Sequence, residues 1–389
     1  MKKSGNIYTL EGRVALSKAI PFGLQHVLAM FVANVTPIII LANVVGVESG
    51  LSSSLVQNAM IIAGIGTLIQ LYPIWRVGSR LPIVMGISFT FLSLAISIGV
   101  SQGMGVLMGA VIVGGIVEGL LGLFAKYWIK IISPIVAATV VTAIGFSLVC
   151  LGFQAYAKGY MRSLSVLIGL IAGYILACCM GMVNLSAIGE ASIVSLPNIM
   201  PFKPVFSLGA ILSIVVVFLV SATETIGDTS ALASSALHRE ITGKELSGSI
   251  ACDGFVSSIA GLFGCTPITS FSQNVGLASM SGVVNRFAIA TGAAIMILAG
   301  LFPAFGILLT SIPQAVLGGC TIMMFGSILF AGFGMTAKCG FSQRNLIISS
   351  LSLSIGIGFT EASGLFNIFP ELVKTVFAEN CVAVVFIIA

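Results

Sequence analysis

Charged residues are scarce in this sequence. Only 7% of its 389 residues are Asp, Glu, Lys or Arg, and it contains two histidines and two tryptophans. A soluble domain carries about 25% charged residues. With 58% hydrophobic residues and a mean hydropathy of +1.15, the composition excludes a soluble globular protein and indicates a polytopic membrane protein embedded in a lipid bilayer.

Several chemical signatures are also missing. The eight cysteines have no metal-ligand spacing and give no support to a disulfide framework. The sequence contains no HExxH, no nucleophile paired with a base and no nucleotide-binding loop. Its net charge of +5 comes from short basic clusters between apolar runs, which does not indicate nucleic-acid binding. We therefore expect no metal, no cofactor, no nucleic-acid partner and no enzymatic activity.

Long apolar runs are abundant instead. A helix that crosses a membrane needs about 20 apolar residues, and many runs in this chain approach or exceed that length. The predicted spans lie near residues 19–42, 55–74, 82–100, 104–125, 131–155, 163–184, 207–235, 249–265, 286–311, 314–336 and 345–361, with shorter apolar pieces at 267–281 and 381–389.

The basic residues predict how these spans are oriented, because Lys and Arg favour cytoplasmic loops. They predict a cytoplasmic N-terminus and cytoplasmic loops around Arg76, Lys126 and Arg239. The run 131–156 breaks this pattern, since basic residues both precede and follow a stretch long enough for one crossing. We interpret this as a fusion of the fifth and sixth segments, with sequence missing near 147–152, and expect the last segment to be cut short.

Two acidic residues lie at membrane depth in the span 207–235. Glu224 and Asp228 are four residues apart, so they share one face of a helix. An ionisable side chain in hydrocarbon costs roughly 3 kcal/mol on insertion scales and normally faces a cavity or a partner. This pair predicts a polar pocket within a helix bundle.

Two segments at 82–91 and 267–276 have a similar interrupted character. Each begins with Pro and contains small polar residues and a Ser-Phe step, with little helix propensity in its first half. A corresponding pair of broken segments in two halves of a chain indicates the binding site of a transporter. Free backbone N–H groups and half-helix N-termini at such breaks would face the bound molecule.

Glu224-Thr225-Ile226-Gly227-Asp228, followed by Gln273-Asn274-Val275-Gly276 and Arg286, resembles the nucleobase–ascorbate transporters. Gly23-Leu24-Gln25-His26 and Asp253-Gly254 also fit this family, and the bacterial xanthine and uric acid permeases are the most similar group. Ser281 stands where the family signature usually has Thr.

The resemblance implies an all-α membrane fold of fourteen segments in a 7+7 inverted repeat, divided into core and gate domains. We expect the core at 14–128 and 207–311 and the gate at 129–206 and 312–389, both gate halves being incomplete. It also implies a homodimer in the bacterial inner (cytoplasmic) membrane.

The resemblance further implies proton-coupled import of a purine nucleobase, xanthine or uric acid, by alternating access. Glu224 would accept N–H donors of the base, and the Gln273 amide would match a C=O/N–H edge. Phe89 would stack on the base and the backbone around Ser88 would hydrogen-bond to it. Backbone N–H groups near Ser272 and Gln273 would complete the pocket, whereas Asn274 is more typical of a scaffold hydrogen bonder than of a direct ligand. Asp228 and His26 are proton-coupling candidates or a hydrogen-bonded pair, and Asp253 has a coupling or structural role.

Four other functions remain as alternatives. A uracil permease of the same family is disfavoured because uracil-type relatives tend to have Glu at the position of Gln273. A sulfate-type anion transporter of this fold would not need Glu224 directed at its substrate. An intramembrane enzyme using Glu224 and Asp228 as an acid–base pair has no supporting motif. A channel is disfavoured because a localised pocket between broken helices suits alternating access better than a continuous pore.

Overall fold

The computed structural model describes residues 6–128, 160–183, 192–313, 339–366 and 381–389, with isolated positions at 139, 189 and between 316 and 337. The predicted span at 131–155 and most of that at 314–336 lie outside these residues. The fused fifth and sixth segments and the missing sequence near 147–152 also lie outside them, so these interpretations stay predictions.

Helices make up most of the described chain, and they are numbered here in chain order. They are α1 (Leu16–Val45), α2 (Ser49–Leu71), α3 (Leu92–Ser101), α4 (Met104–Leu123), α5 (Ala125–Trp128), α6 (Tyr160–Cys179), α7 (Leu208–Ser235), α8 (Gly243–Leu262), α9 (Ser272–Ser281), α10 (Arg286–Gly300), α11 (Pro303–Thr310), α12 (Gln343–Glu361) and α13 (Cys381–Ile388). Among the described residues, α1, α2, α4 and α7 are long and apolar enough to cross a membrane.

The structure shows a bend within the predicted span at 286–311. The structure divides it into α10 and α11, whose axes differ in direction by 84°. Helix α11 begins with Pro303 at its first position. Proline lacks an N–H and disfavours helical backbone at the residue before it, so it starts a new helix more readily than it continues one.

Two short strands meet at the centre of the molecule. Strand β1 (Met85–Ile87) pairs antiparallel with β2 (Ile268–Ser270), with Gly86 opposite Thr269. A 3₁₀ turn at Phe89–Phe91 leads from β1 into α3, and β2 leads into α9. Both α3 and α9 have ten residues. The two interrupted segments predicted from the sequence therefore form equivalent strand and half-helix units that pair with each other.

The strand pair is enclosed by the long helices. Strand β1 contacts α1 and α2, while β2 contacts α7 and α8. Gly86 allows this close packing, because a Cβ at this position would lie 2.6 Å from Met30 and 2.7 Å from the Asn34 side-chain oxygen. That oxygen accepts a hydrogen bond of 2.8 Å from the Ile87 N–H. Non-helical backbone at membrane depth is thus satisfied by protein groups.

Helices α4 and α8 form a close interface lined by glycine. A Cβ on Gly115 would lie 2.6 Å from the Gly254 carbonyl oxygen, and one on Gly119 would meet the Phe255 ring. Small residues at such positions allow helix backbones in a membrane to approach closely. This interface fixes the position of Asp253, which directly precedes Gly254.

Several basic segments lie at the same end of the molecule. The Gly78 N–H, between Arg76 and Arg80, donates to the Gly248 carbonyl near the start of α8 at 2.8 Å. Arg76 donates to the Leu123 carbonyl at the end of α4 at 2.9 Å. The loops that follow α2 and α4 and precede α8 therefore share one end, as the distribution of Lys and Arg predicts.

The segment 6–14 packs at the same end, against the connection between α9 and α10. The Asn285 side-chain amide donates to the carbonyls of Thr9 at 2.9 Å and Gly12 at 3.1 Å. Arg286 forms an ion pair with Glu11 and donates to the Leu71 carbonyl at 2.9 Å. These contacts join the N-terminal segment, the end of α2 and the exit from half-helix α9.

Candidate functional site

A small cavity lies where the two strands give way to their half-helices. Its volume is about 20 Å³, which is room for about one water molecule. The residues around it come from the β1 segment, from α7 and from the β2 segment: Ile87, Ser88, Phe89, Thr90, Glu224, Thr269, Ser270, Phe271, Ser272 and Gln273. A planar heterocycle is larger than this, so its entry requires the cavity walls to move apart.

Glu224 projects from the middle of α7 into this cavity and is partly buried. The Thr90 hydroxyl donates to one of its carboxylate oxygens at 2.8 Å. Thr90 was missed in the sequence analysis, although it lies two residues after Ser88 in the interrupted segment. It holds one oxygen of Glu224 and leaves the carboxylate with further acceptor capacity for a ligand.

Gln273 lines the same cavity from the first turn of α9. Its side-chain amide has no hydrogen-bond partner within the described part of the chain. The first N–H groups of a helix have no intrahelical acceptor, and Ser272 and Gln273 occupy the first two positions of α9. The cavity therefore combines a carboxylate, a primary amide and the N-terminus of a half-helix.

Asp228 lies one turn beyond Glu224 but has different partners. The Ser272 hydroxyl donates to one of its carboxylate oxygens at 2.6 Å, and the Ser270 hydroxyl donates to the other at 3.1 Å. Asp228 is only 3% exposed. Its position joins α7 to the junction between β2 and α9, where it holds the interrupted backbone in place.

Asp253 is fully buried on α8, outside the lining of the cavity. It accepts hydrogen bonds from the hydroxyls of Thr225 and of Thr269, the latter at 3.2 Å. Thr225 lies on α7 and Thr269 on β2, and the sequence alone predicts no role for either. Asp253 therefore joins three elements behind the cavity.

His26 and Asn274 form the contact between α1 and α9. The Asn274 amide donates to the His26 carbonyl at 2.9 Å and lies 3.2 Å from the His26 ring Nδ1. Asn274 therefore joins α9 to α1, and its scaffold role stays a prediction. The alternative of a direct His26–Asp228 pair is wrong, because the structure gives His26 the partner Asn274 and gives Asp228 the partners Ser270 and Ser272.

The backbone at Ser88, which is predicted to contact the base, already has partners within the protein. The Ser88 N–H donates to the Pro267 carbonyl at 2.9 Å and extends the strand pairing. The Ser88 hydroxyl accepts from the Thr90 N–H at 3.3 Å. The Ser88 N–H is therefore already engaged in this conformation. Phe89, 9% exposed, lines the cavity as expected.

Sequence comparison identifies the family. A family model described as Permease family matches residues 17–158 and 148–365, which together cover most of the chain. The chain belongs to the Permease family. Members of this family are transporters, so this permease is a multi-pass membrane protein and not an enzyme.

Named relatives of this permease include purine transporters. The xanthine permease XanQ of Escherichia coli is 31% identical over 421 residues, covering 96% of this chain and 90% of XanQ. The uric acid permease PucK of Bacillus subtilis is 34% identical over 378 residues, covering 89% of this chain and 88% of PucK. The uric acid transporter UacT of Escherichia coli is 30% identical, covering 92% and 82% of the two chains.

Solved structures with a similar fold are more distant in sequence. The transmembrane domain of the cyanobacterial bicarbonate transporter BicA matches with a TM-score of 0.56 at 15% identity, covering 95% of this chain and 98% of that domain. Murine Slc26a9 in the inward-facing state matches with a TM-score of 0.58 at 13% identity, covering 97% and 68%. The permease therefore shares the 7+7 inverted-repeat fold of these transporters.

Proposed function

We propose that this permease imports a purine nucleobase, xanthine or uric acid, together with protons across a bacterial cytoplasmic membrane. The observation that carries this proposal is the shared cavity of Glu224 and Gln273. A carboxylate accepts N–H donors, and a primary amide pairs with a neighbouring C=O and N–H. A purine dione presents both patterns on the edges of one flat ring. The names of XanQ, PucK and UacT support the same substrate class.

Alternating access accounts for the small volume of the cavity. The occupied site requires more room than about 20 Å³, so binding is coupled to movement of the walls. Glu224 from α7 and Gln273 from α9 would close on opposite edges of the base, with Phe89 against its face. In inverted-repeat transporters, one repeat moves against the other around a site near the middle of the membrane and exposes it to each side in turn.

The proposed division into domains places this site within the core. The cavity-lining residues all fall in 14–128 or 207–311, the two halves assigned to the core domain. The segments 129–206 and 312–389 form the gate in this proposal, and a homodimer assembles through the gate. The shared end of the basic loops supports a cytoplasmic N-terminus.

Uptake of labelled xanthine by cells that lack their own purine permeases tests this function. Wild-type protein is expected to accumulate xanthine, and a protonophore is expected to abolish the accumulation. Glu224→Gln keeps the size of the side chain but removes the charge, and it should abolish uptake while Glu48→Gln, at an exposed loop position, should not. Uptake that survives Glu224→Gln would refute the site, and uptake that survives the protonophore would refute the coupling.

A further inference from the structure

Helix α4 carries a further buried acid that has no part in the cavity or in the hydrogen bonds of Asp228 and Asp253. Glu118 is in the C-terminal half of α4, and the residue is 1% exposed. Within the described part of the chain, neither of its carboxyl oxygens has a hydrogen-bond partner. The hydroxyl of Ser221 on α7 is likewise buried without a partner among the described residues.

Acidic groups approach Glu118 from two neighbouring helices. Helix α4 packs on α8 and α7, and more lightly on α3. Asp253 lies on α8 and Glu224 on α7, the two helices with the largest contacts to α4, so a charge on either acid disfavours a charge on Glu118. Helix α3, with the sequence LSLAISIGVS, contributes no titratable side chain. Among the described residues, the charged groups that bear on Glu118 are two carboxyls, Glu224 in the site and Asp253 behind it.

An ionised carboxyl is strongly disfavoured in these surroundings. An ionised Glu118 would be a buried charge with no hydrogen-bond donor to either oxygen, and two nearby acids would repel it. The protonated form of Glu118 avoids the buried charge and the repulsion, and its O–H can donate a hydrogen bond. In contrast, Asp253 and Asp228 each receive hydroxyl donors. Glu118 is thus built to hold a proton in this conformation.

We propose that Glu118 is a proton-binding residue of the transport cycle, linked by charge to Asp253 and Glu224. This inference rests on the proposed proton-coupled function. When Glu118 takes up a proton, the repulsion on the other two carboxyls falls. When it releases the proton, its charge disfavours a second negative charge at Glu224. Substrate binding at Glu224 and protonation of Glu118 would then depend on each other.

A purely structural role for Glu118 makes a different prediction. Glutamine has nearly the same shape and can donate a hydrogen bond between helices, so Glu118→Gln would preserve such a role. Glutamine cannot release a proton. Glu118→Gln therefore separates proton binding from helix packing.

The purified full-length chain in liposomes provides the transport test. Exchange of labelled for unlabelled xanthine needs no net proton movement, whereas accumulation against a gradient does. We expect Glu118→Gln to retain exchange. For each pH unit of imposed gradient, its accumulation ratio should be about tenfold lower than that of wild type, because one coupled proton contributes this factor. Glu48→Gln is the matched control and should behave as wild type.

The results also separate this inference from the proposed function. Wild-type liposomes that exchange no xanthine would refute the proposed function. Wild-type and Glu118→Gln liposomes that accumulate xanthine equally, with the same pH profile, would refute the role of Glu118 alone.

Infrared spectroscopy gives a second measurement that requires no substrate. The wild-type protein at neutral pH should show a protonated carboxylic acid C=O stretch that is absent from Glu118→Gln. An unchanged band in this region would overturn the inference. If Glu118→Gln does not fold, Glu118→Asp keeps the carboxyl but moves it, and it should shift the pH profile of accumulation. An unshifted profile for a folded Glu118→Asp would equally overturn the inference.

Discussion

Glu224 and Asp228 lie on the same side of α7 but bind different groups. Glu224 lies in the cavity with one hydroxyl donor, whereas Asp228 is held by two serines at the start of half-helix α9. The four-residue spacing predicts that both carboxylates lie on one side of α7, but it does not predict which of them lines the cavity and which holds the backbone. That depends on which residues of the interrupted segments reach each carboxylate, and their positions follow from the pairing of β1 with β2.

Gln273→Glu tests the match between the amide and the substrate edge. The substitution replaces the amide donor with an acceptor that cannot pair with a substrate C=O. Losing such a hydrogen bond costs about 1–3 kcal/mol, or about 5- to 150-fold in affinity. Xanthine uptake measured against concentration should show this loss, while Gln102→Glu at an exposed position should not. Equal or better xanthine uptake by Gln273→Glu would contradict the pairing.

Ser272→Ala tests whether Asp228 holds the interrupted backbone in place. The change removes the 2.6 Å hydrogen bond to Asp228 and should lower the free energy of unfolding by about 1–3 kcal/mol. Thermal unfolding in detergent measures the difference. Ser101→Ala removes a hydroxyl that bonds within its own helix at an exposed position, and it should have little effect. Equal melting temperatures for the two variants would contradict the role of Asp228.

At the scale of structural elements, the two interrupted segments could be predicted from sequence because Pro and small polar residues are unusual at membrane depth. Their pairing could not, since it joins segments far apart in the chain. Without this pairing, the sequence does not show that the Ser88 N–H is used between the strands. It also does not show that the partner of Thr90 lies on α7. The bend between α10 and α11 was missed because Pro303 was placed within an apolar run.

The glycine interface between α4 and α8 leads to a prediction about packing. Gly254→Ala would place a methyl group 2.6 Å from the Gly115 carbonyl oxygen and force the helices apart. Overpacking of this kind costs about 1–3 kcal/mol. Since Asp253 is adjacent, xanthine transport should fall together with thermal stability. Gly50→Ala, which has open space around its Cβ, should leave both unchanged, and normal stability of Gly254→Ala would contradict the packing.

The packing of segment 6–14 against Asn285 also makes a prediction. Asn285→Ala removes the donor to the Thr9 and Gly12 carbonyls, so this segment should detach more often. Trypsin should then cleave more rapidly after the exposed Arg13. The comparison variant is Asn6→Ala, which keeps the backbone carbonyl that accepts from Asn285 and removes the hydrogen bond from the Tyr8 N–H to the Asn6 side chain. Equal cleavage rates in wild type and Asn285→Ala would show that these bonds do not hold the segment.

At the scale of the whole molecule, charge and contacts predict the same orientation. The basic loops share one end, while Glu48 lies in the connection between α1 and α2 at their other ends. In a protein whose eight cysteines have been replaced, Glu48→Cys should react with an impermeant thiol reagent on intact cells. Arg80→Cys should react only after the cells are permeabilised. The reverse pattern would invert the proposed orientation.

The most direct test of the central proposal is an experimental structure of this permease with xanthine bound. We predict that the base lies between the Glu224 carboxylate and the Gln273 amide, with Phe89 against the ring and the cavity larger than in the unbound protein. Xanthine bound elsewhere, or Glu224 and Gln273 facing separate spaces in the occupied state, would contradict the account.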